Sequence, residues 1–154
     1  YYNIGLDFDG ILCQDVPNEY LNNDIMYERY IKTAPIKYCP RKFPTLFIAS
    51  GRYNKYKDIS FEWLVRNKIK VNKENLFFLD DNAKQTGEEI IKNKIEAINK
   101  NPQMQLFVES DINQARIIAK NVNKPILCPQ ACKVFNLDKK GIRAWKLVPK
   151  HKRS

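Results

Sequence analysis

The sequence predicts a doubly wound α/β fold, in which helices cover both faces of a mostly parallel sheet. Two observations lead to this prediction. Five short apolar runs recur along the chain, each bounded by polar or turn residues. Longer stretches with helical spacing of apolar residues separate them. Short runs that are apolar on both faces are typical of buried parallel strands, and their alternation with helices indicates an open α/β sheet.

The predicted strands are short and rich in Ile, Leu, Phe and Val. They cover Asn3–Phe8, Thr45–Ala49, Leu76–Leu79, Leu106–Val108 and Pro125–Leu127.

The predicted helices begin at residues that cap helices well or carry apolar residues along one face. They cover Asp24–Thr33, Asp58–Asn67, Gly87–Ile98 and Asp111–Val122. The third, for example, places Ile91, Ile95 and Ile98 at helical spacing.

The charge divides the chain into two parts. The 154 residues carry a net charge of +10, and 44% of them are hydrophobic, which excludes global disorder. Residues 133–154 hold eight cations and one anion, so residues 1–132 are nearly balanced at +3. We therefore predict a catalytic domain over 1–132 and a basic C-terminal extension over 133–154. The extension either contacts nucleic acid or is a solvated, codon-biased tail.

The chain contains no apolar run approaching the roughly 18 residues that cross a bilayer, so we expect no membrane span. It opens on Tyr1-Tyr2-Asn3 without a visible secretory signal, and the missing initiator Met suggests an upstream segment. Without such a signal, four cysteines indicate free thiols in a reducing intracellular compartment. Zinc binding by Cys13, Cys39, Cys128 and Cys132 is a weaker alternative.

Polar residues follow the predicted strands where ligands bind in doubly wound sheets. They are Asp7-Phe8-Asp9-Gly10, Ser50-Gly51-Arg52, Asp80-Asp81 and Glu109-Ser110-Asp111. Asp7 and Asp9 are two residues apart in an extended segment, so both side chains point the same way. Two buried carboxylates require a cation, and oxygen ligands that include Asp111 suit Mg²⁺.

These residues resemble the haloacid dehalogenase-like (HAD) phosphohydrolase superfamily. The resemblance rests on four motifs in order: IGLDFDG (4–10), LFIASGR (46–52), Lys94 on the third helix and LFVESD (106–111). It implies a Rossmannoid three-layer fold with about five parallel strands in the order 3-2-1-4-5. The intervals after the first and third strands are too short for a separate domain, so we expect a minimal cap or none.

The resemblance also implies a Mg²⁺-dependent phosphatase that acts on a phosphorylated substrate. Asp7 would be the nucleophile and Asp9 the general acid and base. Ser50, Gly51 and Lys94 would stabilise the phosphoryl group, with Gly10 and Arg52 as further substrate contacts. Mg²⁺ would be held by Asp7, Asp9 through its carbonyl and Asp111, with Glu109 in support. The substrate is expected to be a nucleotide or a nucleic-acid end.

Some assignments stay open at this point. Lys84 and Lys92 compete with Lys94, and Glu109 competes with Asp111 as metal ligand. Asp80-Asp81 favours a solvated loop or helix cap, whereas Arg52, Lys55 and Lys57 form either phosphate contacts or a solvated face.

A closer resemblance, over most of residues 3–130, is to the HAD domain fused to phosphoribosyltransferase-like domains in phage and bacterial proteins. It rests on DFDGILCQD, TAPIKYCP, ASGRYNKYK followed by FEWL, and FVESDINQARIIA leading to NKPILC. It implies an upstream transferase-like domain, a partner chain or a stand-alone relative. The alternative to an enzyme is a catalytically silent HAD-fold subunit of a ribonucleoprotein assembly, recruited through residues 133–154.

Overall fold

The computed structural model describes residues 3–138 and 141–146. Strands and helices alternate over most of this part of the chain. The strands are β1 (Ile4–Leu6), β2 (Phe47–Tyr53), β3 (Leu76–Leu79), β4 (Leu106–Val108), β5 (Ile126–Cys128), β6 (Lys133–Asp138) and β7 (Gly141–Lys146). The helices are α1 (Asp24–Lys32), α2 (Lys57–Arg66), α3 (Gly87–Asn99) and α4 (Ile112–Asn121). None of these helices is long and apolar enough to cross a membrane.

One sheet contains all of these strands in the order β3-β2-β1-β4-β5-β6-β7. The pairs from β3 through β5 are parallel, whereas β5–β6 and β6–β7 are antiparallel. The parallel part therefore follows the order 3-2-1-4-5, and the α/β class with a mostly parallel sheet is confirmed.

The prediction of about five strands is too low, because β6 and β7 extend the sheet beyond β5. These two strands lie in the segment that the charge pattern marked as a basic extension. The excess of cations over residues 133–154 and the polar residues within these two segments hid the strand signal. Phe135 of β6 is buried in the core that α3 and α4 cover, and β6 and β7 thus continue the sheet.

β1 and β2 end at other residues than the sequence predicted. β1 ends at Leu6, so Asp7 follows it directly, whereas β2 continues to Tyr53. The register between β2 and β3 is irregular between Ala49 and Tyr53. As a result Ser50, Gly51 and Arg52 lie inside β2 and not after it, which corrects the prediction that this strand ends at Ala49.

Helices cover both faces of the sheet. Phe47 and Ala49 of β2 pack in a core cluster with Ala97 of α3 and Ile118 of α4. The intervening residue, Ile48, packs in a second cluster, with residues of α2. Because alternate residues of a strand point to opposite faces, α2 lies across the sheet from α3 and α4. The domain therefore has three layers.

Candidate functional site

An acidic cleft of about 550 Å³ is lined by residues that follow β1 and β4 and by residues within β2. Four carboxylates and two cations line it: Asp7, Asp9, Asp15, Asp111, Arg52 and Lys94. The excess of carboxylates gives the cleft a negative charge. It is built from segments that are far apart in sequence and that the parallel strands β1, β2 and β4 bring side by side.

Asp7 is 5% exposed and is held from three directions. The backbone N–H of Phe8 donates to its Oδ1 at 2.8 Å, and Lys94 Nζ lies 3.3 Å from the same oxygen. The hydroxyl of Ser110 donates to its Oδ2 at 2.7 Å. These contacts fix the orientation of the carboxylate where it lines the cleft.

Lys94 is buried and connects Asp7 to a second carboxylate. Its Nζ donates to Glu109 Oε1 at 2.7 Å and to Gln114 Oε1 at 3.0 Å. Burial lowers the pKa of Lys94, but the charges of Asp7 and Glu109 outweigh it, so the net pKa is raised and the ammonium stays charged. Lys84 and Lys92, the alternatives from the sequence, are exposed.

Glu109 is fully buried and is not among the residues that line the cleft. Burial and the charge of Asp7 raise its pKa to about 8, although Lys94 acts in the opposite direction. Its Oε2 accepts a hydrogen bond from the backbone N–H of Asp111 at 3.0 Å. Glu109 therefore anchors Lys94 and the start of α4, whereas Asp111 lines the cleft and caps α4 by accepting from the N–H of Gln114.

Asp9 is bound by Arg52 through two hydrogen bonds, Nε to Oδ2 at 2.9 Å and Nη2 to Oδ1 at 2.7 Å. Burial raises the pKa of Asp9, but the charge and hydrogen bonds of Arg52 outweigh it, so the net pKa lies below its ordinary value. A two-pronged pair of this kind is among the stronger ion pairs in proteins. It leaves no unpaired oxygen on the Asp9 carboxylate.

Arg52 is 1% exposed, and every nitrogen of its guanidinium is engaged. Besides Asp9, it donates to Ser60 Oγ at 2.8 Å and stacks on Phe8 with its Cζ 3.9 Å from the ring centroid. The sequence presented Arg52 as a substrate contact or part of a solvated face. In the structure the side chain is buried against Asp9, which is not compatible with a solvated face. Because it lines the cleft, its contact with a substrate stays a prediction.

The remaining predicted phosphate-binding residues differ in access. Gly51 lines the cleft, whereas Ser50 is fully buried, outside the lining, and accepts from the backbone N–H of Arg52 at 3.1 Å. Gly10 has φ of +82°, a left-handed conformation that favours glycine. A Cβ there would lie 2.7 Å from the Cβ of Ser110. Gly10 thus allows the loop after Asp9 to approach the segment after β4.

The cleft offers oxygen donors that fit a hard cation such as Mg²⁺. Asp7 and Asp111 supply carboxylates, and no described residue donates a hydrogen bond to the Asp9 carbonyl oxygen. The excess of carboxylates over cations in the lining also favours a bound cation. Over residues 3–138 and 141–146, no three or more His, Cys, Asp or Glu side chains are arranged to hold a metal. The ligands considered for Mg²⁺ are the side chains of Asp7 and Asp111 and the backbone carbonyl of Asp9, so they include only two such side chains.

The absence of a metal-holding group among residues 3–138 and 141–146 also bears on zinc, because it covers cysteine side chains as well as carboxylates. All four cysteines are free thiols, with Cys13 and Cys128 buried and Cys132 exposed. Cys13 lies inside the site, where its Sγ is 3.5 Å from Asp9 Oδ1 and from Arg52 Nη2. Nothing in this arrangement supports the zinc alternative.

The two residues after β3 lie in an exposed loop. Asp80 accepts from the backbone N–H of Asn82, and Asp81 accepts from that of Lys55. Both carboxylates cap loop backbone, and neither lines the acidic cleft.

Sequence reasoning missed several residues of the cleft, including Asp15, Tyr27 and Gln85. Asp15 and Tyr27 belong to the segment between β1 and β2, which contains a short 3-10 turn (Asn18–Tyr20) and α1. Burial raises the pKa of Tyr27, and although Arg52 opposes this, the phenol keeps its proton. Neither residue follows a strand, so the rule that located Asp7 and Asp111 does not find them.

Comparison of the chain with protein-family models, with curated proteins and with solved structures finds no significant match. The interpretation of the cleft therefore depends on its own geometry and chemistry.

Proposed function

We propose that the chain is a Mg²⁺-dependent phosphatase that hydrolyses a phosphomonoester through an aspartyl-phosphate on Asp7. One observation carries the proposal: Asp7 is held between Lys94 and Ser110 in a cleft with an excess of carboxylates. The four motifs that resemble the HAD superfamily support the same chemistry.

In the first step, an oxygen of Asp7 forms a bond to phosphorus as the ester bond to the leaving oxygen breaks. In the second step, a water oxygen attacks the phosphorus, inorganic phosphate leaves and the Asp7 carboxylate is regenerated. Covalent catalysis of this kind divides one difficult hydrolysis into two easier substitutions. The contacts from Phe8 and Ser110 orient the carboxylate for the first of them.

Lys94 stabilises the negative charge that accumulates between the nucleophile and the phosphoryl oxygens. Its ammonium is already in place, 3.3 Å from Asp7 Oδ1, and Glu109 and Gln114 keep it there. Charges that are fixed before the reaction cost no reorganisation at the transition state. The amide of Gly51, which lies in the lining of the cleft, is suited to contact a phosphoryl oxygen.

Asp7, Asp111 and the carbonyl of Asp9 would hold Mg²⁺. When bound, this ion would offset the negative charge of the cleft so that an anionic substrate can enter.

One observation favours the alternative of a catalytically silent subunit. Arg52 engages both oxygens of Asp9, so the residue predicted to exchange a proton with the leaving group has none of its oxygens free. An active enzyme would have to loosen this pair when substrate binds. Of the segment through which such a subunit would be recruited, 139–140 and 147–154 lie outside the described residues.

Phosphate release from p-nitrophenyl phosphate tests the proposal directly. The purified chain should release phosphate with added Mg²⁺ and lose this activity when EDTA removes divalent ions. Asp7→Asn should abolish release because the amide cannot act as the nucleophile. Asp58→Asn is the matched control, since Asp58 is an exposed carboxylate of α2 that pairs with Lys73. Activity that survives in Asp7→Asn would refute the mechanism, and inactivity of the wild type would favour the silent subunit.

A further inference from the structure

A smaller pocket adjoins the acidic cleft and shares Leu21, Tyr27 and Gln85 with it. Tyr53 and Tyr56 complete its aromatic part, and we call the group Tyr27, Tyr53 and Tyr56 the tyrosine pocket. The rings of Tyr27 and Tyr56 pack with centroids 4.9 Å apart. The two cavities therefore share part of their lining, so a molecule bound in the cleft lies next to the tyrosine pocket.

Tyr27 carries a polar group that the protein itself leaves unused. The residue is 9% exposed, and no described residue forms a hydrogen bond with its hydroxyl. Among the described residues, every buried side-chain nitrogen or oxygen has a partner. The Tyr27 hydroxyl must therefore be open to the cavities that it lines, where it can donate to or accept from a ligand.

The chemistry of the tyrosine pocket suits a flat ring with polar edges. Leu21 and the partly exposed ring of Tyr53 provide apolar surface, because Tyr27 and Tyr56 are only 9% and 7% exposed. The side chains of Gln85 and Asp24 provide hydrogen-bonding groups. Lys55 adds a positive charge, with its Nζ 5.2 Å from the ring centroid of Tyr56. Aromatic side chains bind bases by stacking, whatever the base, whereas amides and carboxylates pair with ring edges.

We propose that the tyrosine pocket is the leaving-group subsite of the phosphatase and that it binds a nucleobase. This inference rests on the proposed function. It assigns a binding site for the base to the substrate class that the sequence led us to expect, a free mononucleotide or the terminal nucleotide of a polynucleotide. The phosphate would lie at Asp7, and Tyr27 would contact the part of the nucleoside between the phosphate and the base.

The test compares adenosine 5′-monophosphate with ribose 5-phosphate, which has the same phosphate and sugar but no base. The wild type should hydrolyse the nucleotide with kcat/KM about tenfold higher or more, which corresponds to one stacked base. Equal kcat/KM for the two substrates would overturn the proposal. An oligonucleotide with a 5′-phosphate is the third substrate. Comparing its kcat/KM with that of adenosine 5′-monophosphate shows whether the site prefers a polynucleotide end or a free mononucleotide.

Two variants test whether the tyrosine pocket causes the preference for the nucleotide over ribose 5-phosphate. Tyr53→Leu removes a partly exposed ring, and it should reduce the nucleotide preference to about twofold or less, mainly through KM. Tyr27→Phe keeps the ring packed on Tyr56 and removes the hydroxyl, so kcat/KM for both substrates should fall several-fold. Unchanged kinetics in both variants would contradict the proposal.

Tyr38 supplies the matched controls. It is 46% exposed in a separate apolar groove that shares no lining residue with the acidic cleft or the tyrosine pocket. Tyr38→Leu and Tyr38→Phe should leave the substrate preference unchanged.

The test also separates failure of the subsite from failure of the proposed function. A protein that releases no phosphate from any substrate, p-nitrophenyl phosphate included, refutes the phosphatase. Titration calorimetry then tests the pocket alone, because adenosine 5′-monophosphate should still bind more tightly than ribose 5-phosphate. Equal binding of the two would overturn the subsite as well.

Discussion

Lys94 and Glu109 form a buried ion pair, with Nζ 2.7 Å from Oε1, although one residue lies on α3 and the other follows β4. Asp7 is the third member of the group, 3.3 Å from the same ammonium. One positive charge thus serves two carboxylates, of which Glu109 is fully buried and Asp7 lines the acidic cleft. The geometry makes Lys94 important for stability as well as for the proposed chemistry.

Replacing Lys94 with Met should destabilise the protein by about 3–5 kcal/mol, because it leaves buried carboxylates without their counter-charge. The free energy of unfolding from urea titrations measures this effect. Adding Glu109→Gln to Lys94→Met should restore part of the stability, since one uncompensated charge is removed. It should not restore phosphatase activity. A double variant that is no more stable than Lys94→Met would show that the pair does not carry the effect.

The loss in the free energy of unfolding that Lys94→Met causes should also depend on pH. Burial and Asp7 raise the pKa of Glu109 from 4.5 to about 8, and Lys94 opposes this rise. Between these values folded Glu109 holds a proton that the unfolded chain has lost, so its contribution to stability falls as pH rises. Without Lys94 the pKa of Glu109 should rise further, so the fall in stability should continue to higher pH than in the wild type. The difference in unfolding free energy between variant and wild type should therefore be smaller at pH 7 than at pH 9, and a constant difference would contradict the account.

Gly10→Ala should destabilise the protein by about 1–3 kcal/mol, because a side chain is strained at φ of +82° and its Cβ would meet Ser110. Gly87→Ala is the matched control. A Cβ at Gly87 meets nothing within 4 Å, and the residue begins α3, where Ala favours the helix. Gly10→Ala should lower the Tm, whereas Gly87→Ala should raise it or leave it unchanged. Equal Tm values for Gly10→Ala and wild type would argue against the close approach.

The cysteines should differ in reactivity toward a thiol reagent under native conditions. Cys132 is exposed and should react rapidly, whereas Cys13 and Cys128 are buried and should be protected until the protein unfolds. Burial and the charge of Asp9 also raise the pKa of Cys13, so little of it is thiolate. Mass spectrometry after timed alkylation identifies the modified residues. Rapid labelling of Cys13 in the folded protein would contradict the packing around Asp9 and Arg52.

Local sequence pattern predicts the parallel part of the fold and three of the four acidic residues of the cleft, Asp7, Asp9 and Asp111. Each buried strand is an apolar run, and its carboxyl end falls on one edge of the sheet. Asp7 and Asp111, which are 104 positions apart in the printed sequence, therefore line the same cleft. Lys94 was implied by the resemblance, with Lys84 and Lys92 left open, and the structure distinguishes it because it is buried with Ala97 and Ile98 on one face of α3.

Other features depend on tertiary contacts and leave no local signal. Arg52 pairs with Asp9, which is 43 positions away in the sequence, and with Ser60 of α2, and no local pattern identifies these partners. Tyr27 reaches the cleft only because the segment between β1 and β2 folds back over it. β6 and β7 were missed for another reason, because the excess of cations in residues 133–154 was interpreted as a basic extension. β7 is an edge strand, where cations are tolerated, whereas β6 pairs with both β5 and β7.

Covalent trapping of the intermediate tests the central claim most directly. The chain is mixed with Mg²⁺ and p-nitrophenyl phosphate, quenched in acid during turnover and reduced with borohydride, which converts an aspartyl-phosphate to homoserine. Peptide mass spectrometry should find this conversion at Asp7 and not at Asp9, Asp15 or Asp111. Phosphate release with conversion at another aspartate, or with none, would contradict the assignment of Asp7 as the nucleophile.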